Sequence, residues 1–446
     1  MERNSTIALT GDSIIMRKIS NYNDKQTKDL YSKINQADVA FTNLEVLPNN
    51  FTGFPAARTD GAPVGAHSFV LDDLSEIGFN LFSCANNHAS DYGAKGLLKT
   101  IDELKRRNLS FAGIGRNLTE SRMPVYHSFS DGTVGMISCT ATFFEEQAAG
   151  DSRPELQGRP GVNPLRYDVE YEVTKEQLNL LKNIYEELGL EKHRQQFIQQ
   201  GFSSESKNPD IFSFVDTNLR SAGTLNAVFK SGNSPSVKTK PKKNDLEEII
   251  KWIKEARNRS DIVLVSMHAH EQGSTRDAPA EFIRQFAHEA IDEGADIVVG
   301  HGPHFLKGME IYKGKPIFYS LGNFIGHNEL IYKMSEDAYQ KFNVNSSLTP
   351  SNVFHIRSDG GKKGFTANNI YWETVMPFCK FKQGKLQGID IFPISLTNGD
   401  APYKRGRPFL STKKEGLKIM EKFKSLSYMF NTVVEYDNNG VGKVVL

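Results

Sequence analysis

Ile297-Val298-Val299-Gly300-His301-Gly302-Pro303-His304 decides how the rest of the chain is read. Three branched apolar residues read as a buried strand. Gly300 ends it, and two histidines follow three positions apart in a Gly/Pro turn. Imidazoles held by a tight loop at the C-terminal end of a strand suit metal binding, and open α/β sheets place their ligand crevice at that edge. A His-x-x-His pair says little alone. Its weight comes from other segments with the same plan, a short apolar strand running straight into carboxylates, amides or imidazoles.

Working towards the N-terminus, Ile262–Val265 is expected as a strand that exits through Met267-His268-Ala269-His270-Glu271. Between it and the opening stretch, Pro279 starts a helix and Gly294 stops it. Ile7–Leu9 is a first strand, leaving through Thr10-Gly11-Asp12-Ser13. Val39–Phe41 is a second, with Asn43-Leu44-Glu45 at its end, and Asn80–Cys84 a third, left by Ala85-Asn86-Asn87-His88. Helices are expected at Lys28–Ile34, at Leu71–Ile77 with Gly78 as its cap, and at Ala94–Arg107. Phe111–Gly113 and Thr133–Cys139 are further strands. This βαβα rhythm gives an α/β fold with helices on both faces of a sheet.

The stretch from about Phe144 to Lys243 is polar and uneven. Thr174 and Gln177 form a capping box before a helix that runs through Leu188. Ser203–Lys207 and Ser231–Lys243 read as loops, the latter a solvated linker carrying Lys238, Lys240, Lys242 and Lys243. Asn244–Ala256 is an amphipathic helix. After the opening stretch, Ile311–Tyr312, Gly314 and Ile317–Tyr319 form a hairpin closed by Gly322-Asn323-Phe324. A second polar insertion covers about Asn328 to Thr366, and Lys380–Phe392, split by Gly384, is a terminal hairpin. The 446 residues are thus expected as one domain with insertions at about 144–243 and 328–366.

Composition excludes several partners. With 54 basic and 53 acidic residues, the net charge of +1 offers no field for nucleic acid or anionic lipid. Cys84, Cys139 and Cys379 are too dispersed for a disulfide framework or a thiolate metal site. No signal h-region is read in Met1–Asp12, and no stretch reaches the length of a membrane span, so a cytoplasmic location is expected.

Five strand ends carry Asp12, Asn43 with Glu45, Asn87 with His88, His268 with His270, and His301 with His304. A dinuclear divalent-metal site needs about six to eight ligands, including a carboxylate able to bridge. Carboxylates supply charge, histidines neutral nitrogen and asparagine a neutral carbonyl oxygen, and each type is present. His67, His127, His193, His288, His327 and His355 stand apart; His288 is expected exposed on a helix, and His327 is retained as a site candidate.

The order Gly11-Asp12, Asn43-Leu44-Glu45, Asn86-Asn87-His88 with Asp91 and Gly93, His268, then Gly300-His301-Gly302-Pro303-His304 is similar to the capsule-synthesis CapA family, which includes proteins of bacterial poly-γ-glutamate biosynthesis. Gly314-Lys315-Pro316-Ile317-Phe318-Tyr319-Ser320-Leu321-Gly322-Asn323-Phe324 resembles it too. The likeness covers roughly Ile7–Gly115 and Asp261–Phe324, and is weaker in Arg159–Pro164 and the terminal hairpin. It implies a calcineurin-like metallophosphoesterase fold, a four-layer α/β/β/α sandwich over a two-metal site. Asp12 matches that pattern's first aspartate, Glu45 its bridging aspartate, Asn87 its amide ligand, His268 its lone histidine ligand, and His301 and His304 its final pair. His88 matches the outer histidine that donates a proton. The histidine expected two positions after Asp12 is Ile14 here, leaving one metal short of a ligand and the site richer in oxygen, which shifts preference towards Mn, Mg or Ca from Zn.

Three activities follow. The first is a hydrolase or transferase acting on a phosphoester or a γ-glutamyl or peptide-type bond with two divalent metals. The second is a metal-dependent peptide epimerase in which His88 and Asp12 exchange an α-proton from opposite faces. The third is a non-catalytic polymer-assembly protein. For substrate contacts, Arg58 and Arg159 in Gly/Pro-rich loops, Asn43, and His270 beside Glu271 are the candidates. Arg405 and Arg407 have the same standing as the two loop arginines.

Overall fold

The computed structural model describes residues 4–204, 208–215, 226–399 and 401–446. Of the Ser203–Lys207 loop, residues 205–207 lie outside that description. The chain divides into two compact units, one of residues 1–165, 243–279 and 286–446, the other of residues 166–242 and 280–285.

The larger unit is mixed α/β with two main sheets. In the first, Asn4–Ile14 lies parallel to Val39–Asn43, which continues in parallel to Leu81–Ser83 and Ser110–Ala112. On its other side Asn4–Ile14 pairs antiparallel with Glu373–Lys382, and its C-terminal half pairs in parallel with Asn323–Gly326. Asn323 therefore opens a strand of this sheet, where the sequence suggests only the closure of a hairpin. The second sheet runs Met309–Tyr312, Lys315–Phe318, Ile297–His301, Ile262–His268, Gly132–Thr140, Val125–Phe129. Ile262–His268 is parallel to both its neighbours, with His268 opposite His301 and opposite Thr140.

The period of two along each strand sorts the core. Ile7 and Leu9 share a buried cluster with Val39, Phe41, Leu264 and Val299, so inward residues of both sheets meet there. Ala8, Ala40 and Phe82 belong to a second cluster, with Leu30, Leu74 and Leu97 from the helices Lys25–Asn35, Phe69–Ile77 and Gly93–Arg106. On the second sheet, Gly135 leaves room for Ala256 of the helix Lys243–Arg259 and for Ser260 just beyond it. Cys84, Cys139 and Cys379 are buried free thiols. The terminal hairpin is longer than its sequence suggests, Glu373–Lys382 and Lys385–Leu396, and a helix at Lys413–Tyr428 follows it. Its turn, like that of the preceding hairpin, puts two successive residues at positive φ, Gln383-Gly384 and Lys313-Gly314. Among the described residues no helix is long and apolar enough to cross a membrane.

The smaller unit is a four-stranded sheet in the order Ile211–Val215, Asn226–Ser231, Tyr167–Val173, Ser236–Pro241, with the helices Lys175–Glu187 and Leu190–Gln199. Thr174 and Gln177 form the expected capping box. The lysine-rich linker is corrected: Ser236–Pro241 is an edge strand antiparallel to Tyr167–Val173. Its lysines face the acidic residues of that partner, with Lys238 paired to Glu172 and Lys240 in register with Asp168, and Lys230 of the Asn226–Ser231 strand pairs with Glu170 from the other side, so cross-strand charge stabilises what reads locally as a solvated run. Tyr185 anchors the first helix on Phe212 and Phe214, at ring distances of 5.3 and 5.1 Å.

Candidate metal centre

Asp12 sits where the first strand bends. The register shifts after Leu9 and again at Asp12, and a Cβ on Gly11 would lie 1.8 Å from the Gly322 carbonyl. Only glycine lets the two backbones pass, and Asp12 N–H then donates to that carbonyl at 2.8 Å. The carboxylate is fully buried and held on both oxygens: Asn43 Nδ2 donates to Oδ1 at 2.8 Å, and Gly302 N–H to Oδ2 at 3.0 Å.

Around it stand imidazoles from the ends of the second sheet's strands. His301 Nδ1 is 3.6 Å and His304 Nδ1 3.4 Å from the Asp12 carboxylate, and His268 Nδ1 is 3.9 Å away. Glu45 lies on the far side, 3.7 Å from His268 Nε2 and 3.7 Å from His304 Nδ1. His270 Nε2 is 3.1 Å from His268 Nε2. Two groups of ligand atoms result, Asp12 with His268 and His301, and Glu45 with His270 and His304; within each, the atoms all lie within 4.8 Å of one another. Ser266 Oγ, 2.7 Å from His301 Nε2, fixes that ring, and Asn323 Oδ1 lies 2.9 Å from His304 Nδ1. His304 adopts a positive φ of 64°, a strained backbone for a non-glycine residue, which turns its ring towards the cluster.

Titration follows from this crowding. Burial opposes ionisation of Asp12, but the hydrogen bond and charge of His304, with His301 and His268, hold it well below the usual carboxylate range. Burial and the neighbouring Asp12 push Glu45 well above that range. Burial lowers His268 well below 6.5, His270 to about 3 and His301 to about 4, so these rings are neutral at physiological pH with lone pairs free for a cation. Both Glu45 oxygens and Asn87 Oδ1 are buried without a hydrogen-bond partner among the described residues. Native proteins rarely leave buried polar atoms unpaired, and all three here are acceptors, so the set fits a cation.

The cluster opens into a cleft of about 360 Å³, lined by Asn87, His88, His270 and His304 and by residues of the 328–366 insertion. His88 Nδ1 is 2.7 Å from Asp91 Oδ2, and Val64 N–H donates to the same oxygen at 2.8 Å. Burial would lower the His88 pKa, yet the Asp91 charge and hydrogen bond raise it above its ordinary value. Asn87 Nδ2 donates to Asp60 Oδ2 at 3.1 Å.

Asp12, Glu45, His268, His301 and His304 are thus brought together, with Asn87 and His88 on the same cleft. His270, assigned from sequence to the substrate, stands among the ligand atoms. Asn43 is buried as a brace: besides Asp12, its Nδ2 lies 3.3 Å from His268 Nδ1, and its Oδ1 accepts from Asn86 at 3.4 Å. Arg58 and Arg159 are not among the residues lining the cleft. Arg58 stacks on Phe144 at 4.2 Å, and Arg159 Nε donates to the Ala148 carbonyl at 2.9 Å. Arg405 pairs with Glu329 at 2.6 Å and Arg407 with Asp24 at 2.9 Å. His327 accepts from Met16 N–H at 3.2 Å and belongs to neither ligand group, and His288 is no exposed helix residue but stacks on Tyr312 at 3.9 Å with Glu310 3.0 Å away. Sequence reading missed Asp60, which sits in a Gly/Pro loop with no strand to announce it, and the contribution of Arg357, Lys363 and Phe365.

Strand ends that converge on a buried carboxylate–imidazole cluster define a mixed α/β protein with a candidate metal centre. The family model described as bacterial capsule synthesis protein PGA_cap matches residues 6–328, and the chain belongs to that family. Among relatives, the uncharacterized protein y4sH of Sinorhizobium fredii is 29% identical over 443 residues, 97% of this chain and 91% of that protein. The capsule biosynthesis protein CapA of Bacillus anthracis is 28% identical over 262 residues, 59% of this chain and 44% of that one. A probable polyglutamine synthesis accessory protein of Mycobacterium tuberculosis is 42% identical over 69 residues, 16% of this chain and 18% of its own.

Proposed function

We propose that this chain is a metal-dependent hydrolase or transferase of capsule and poly-glutamate biosynthesis, acting on a phosphoester or a γ-glutamyl or peptide-type bond. The observation that carries the reading is Glu45, a fully buried carboxylate with neither oxygen hydrogen-bonded among the described residues, set beside the imidazoles of His268 and His304. Asp12, His268 and His301 would hold one divalent cation, and Glu45, His270 and His304 with the Asn87 carbonyl a second. The helix–sheet–sheet order supports the α/β/β/α sandwich of the metallophosphoesterases, and the names of the Bacillus relatives support the polymer pathway.

Divalent cations held there would lower the pKa of a bound water and polarise the substrate oxygen. The remaining work belongs to side chains. Asp91 accepts a hydrogen bond from the Nδ1–H of His88, which leaves Nε2 for the substrate. The raised His88 pKa keeps a proton available for the leaving group. His304, packed edge-on to Phe365 at 5.5 Å, forms the boundary between the cluster and the outer cleft.

The test joins metal analysis of the purified protein to turnover of p-nitrophenyl phosphate and γ-glutamyl-p-nitroanilide in deuterated buffer. Bound divalent metal and release of phosphate or p-nitroaniline are expected. His88→Ala should lose about 10²–10⁴-fold in turnover with metal content unchanged. Deuterium entering a peptide α-carbon without bond cleavage makes the protein an epimerase, and failure to hold metal after reloading ends the reading.

A further inference from the structure

The cleft carries a cation that no carboxylate among the described residues pairs with. Arg357 ends the helix Pro350–Arg357 and lines the cleft with Phe354, Lys363 and Phe365. Its guanidinium lies 3.7 Å from the Phe342 ring centre and 5.8 Å from that of Phe354. Those rings fix the planar group through cation–π contact, leaving its N–H fork for another partner. Among the described residues Arg357 has no hydrogen-bond or ion-pair partner, and it is exposed at the cleft, within reach of a ligand from solvent.

The other charges of the cleft leave this imbalance standing. Glu329 is taken by Arg405 at 2.6 Å and by Thr366 Oγ1 at 2.7 Å. Asp60 accepts from Asn87. Among the described residues Lys363 pairs only with Asp359, 3.8 Å away on an exposed surface, where an ion pair contributes little. The same segment is tied to the cluster: Phe365 packs against His304 at 5.5 Å and Tyr371 at 4.6 Å, and its carbonyl accepts from Trp372 Nε1 at 2.8 Å.

We infer that Arg357, with Lys363 beside it, forms an anion subsite that holds a carboxylate or phosphate of the substrate set apart from the bond being broken. A planar guanidinium pre-positioned by two rings suits bidentate recognition of either group. The apolar neighbours Phe354 and Ile331 suit the aliphatic stretch between that anion and the reacting bond. The inference shares its cleft with the proposed metal centre and assigns a substrate feature to it: an anionic group distal to the reaction.

The test is isothermal titration calorimetry of the full-length, metal-loaded protein with glutarate and with inorganic phosphate, repeated after chelation, on wild type, Arg357→Met and Arg357→Lys. Glutarate affinity should fall about tenfold or more in Arg357→Met, with metal or without, because a charge-assisted bidentate contact is lost. Arg357→Lys keeps the charge without the fork and should fall between. A parallel fall for phosphate makes both anions ligands of the subsite; an unchanged phosphate affinity restricts it to carboxylates. Should Arg357→Met prove unstable in thermal unfolding, Arg357→Lys decides alone, with a loss of about threefold or more expected for the fork. No glutarate binding to wild type, or equal affinities for both probes across wild type and variants, overturns the inference. A wild type that holds no metal but shows the arginine-dependent loss removes the proposed reaction and leaves the subsite in place.

Discussion

Asp60 shows how one residue can set the polarity of another. A carboxylate only accepts, so the Asn87 amide must turn its NH₂ towards Asp60, and its oxygen is left buried and unpaired on the other side. Asp60→Ala frees the amide to rotate, and the affinity of the second metal position should drop about 10–100-fold by metal titration, with the first position retained. Two full-affinity equivalents in the variant would leave Asn87 oriented by something else. The two histidines of the His268-Ala269-His270 exit are predicted to part company in the same assay. His268→Ala should empty the first position and His270→Ala the second, each leaving about one equivalent. A His270→Ala protein with both positions intact returns that ring to the substrate. The cluster residues are legible in the sequence because each ends a short apolar strand, and strand ends of one edge must meet. Asp60 and Arg357 are not legible, since their loop and helix carry no periodic signal and acquire meaning only through Asn87 and the cleft.

Strands and loops hold these residues at fixed depth, and the backbone sets the tolerance. Gly11 passes the Gly322 carbonyl so closely that a Cβ would sit 1.8 Å from it, with backbone on both sides and no rotamer to give way. Gly11→Ala should destabilise the fold by about 3 kcal/mol or more in urea unfolding and lower metal content, since Asp12 is the next residue. A loss below about 1 kcal/mol would mean the strand shifts freely. The His270–Pro279 loop has a different anchor. Lys307 is buried, and its ammonium donates to the carbonyls of Ala278 at 3.1 Å and Glu271 at 3.4 Å, while burial pushes its pKa down to about 8. Below that value both folded and unfolded chains carry the charge, and the folded one bears its desolvation. Between about 8 and the unfolded value near 10.4 the unfolded chain binds more protons, so stability should rise with pH by up to about 1.4 kcal/mol per unit relative to Lys307→Met. Urea unfolding of both proteins at about pH 7 and about pH 10 measures this; a pH-independent difference gives the lysine an ordinary pKa. The sequence shows the parallel strands clearly through their unbroken apolar runs, yet it hides the Ser236–Pro241 strand, whose lysines match Asp168, Glu170 and Glu172 on a partner some seventy residues earlier.

At the level of the whole molecule, every residue assigned to the metal centre and to the anion subsite falls within the larger unit, while residues 166–242 and 280–285 make a compact unit of their own. The smaller unit begins and ends at one point, since Lys242 N–H donates to the Arg166 carbonyl at 2.7 Å. A short Gly/Ser turn can therefore replace residues 167–241 without stretching the larger unit's chain, at a loop-closure cost that grows only slowly with length. The excision also uncovers Phe282, fully buried and stacked on Tyr167 at 4.1 Å, so Phe282→Ser belongs in the same variant to avoid an exposed apolar ring. The shortened protein should bind the same number of divalent ions as the full chain, with affinity within about threefold, because no ligand or ligand-orienting residue has been removed. Turnover of the small p-nitrophenyl substrates should persist as well. Full metal content with turnover lost only on long polymeric substrates would assign the smaller unit to substrate capture. Loss of metal itself would show that the cluster depends on residues 166–242 and that the larger unit does not hold it alone.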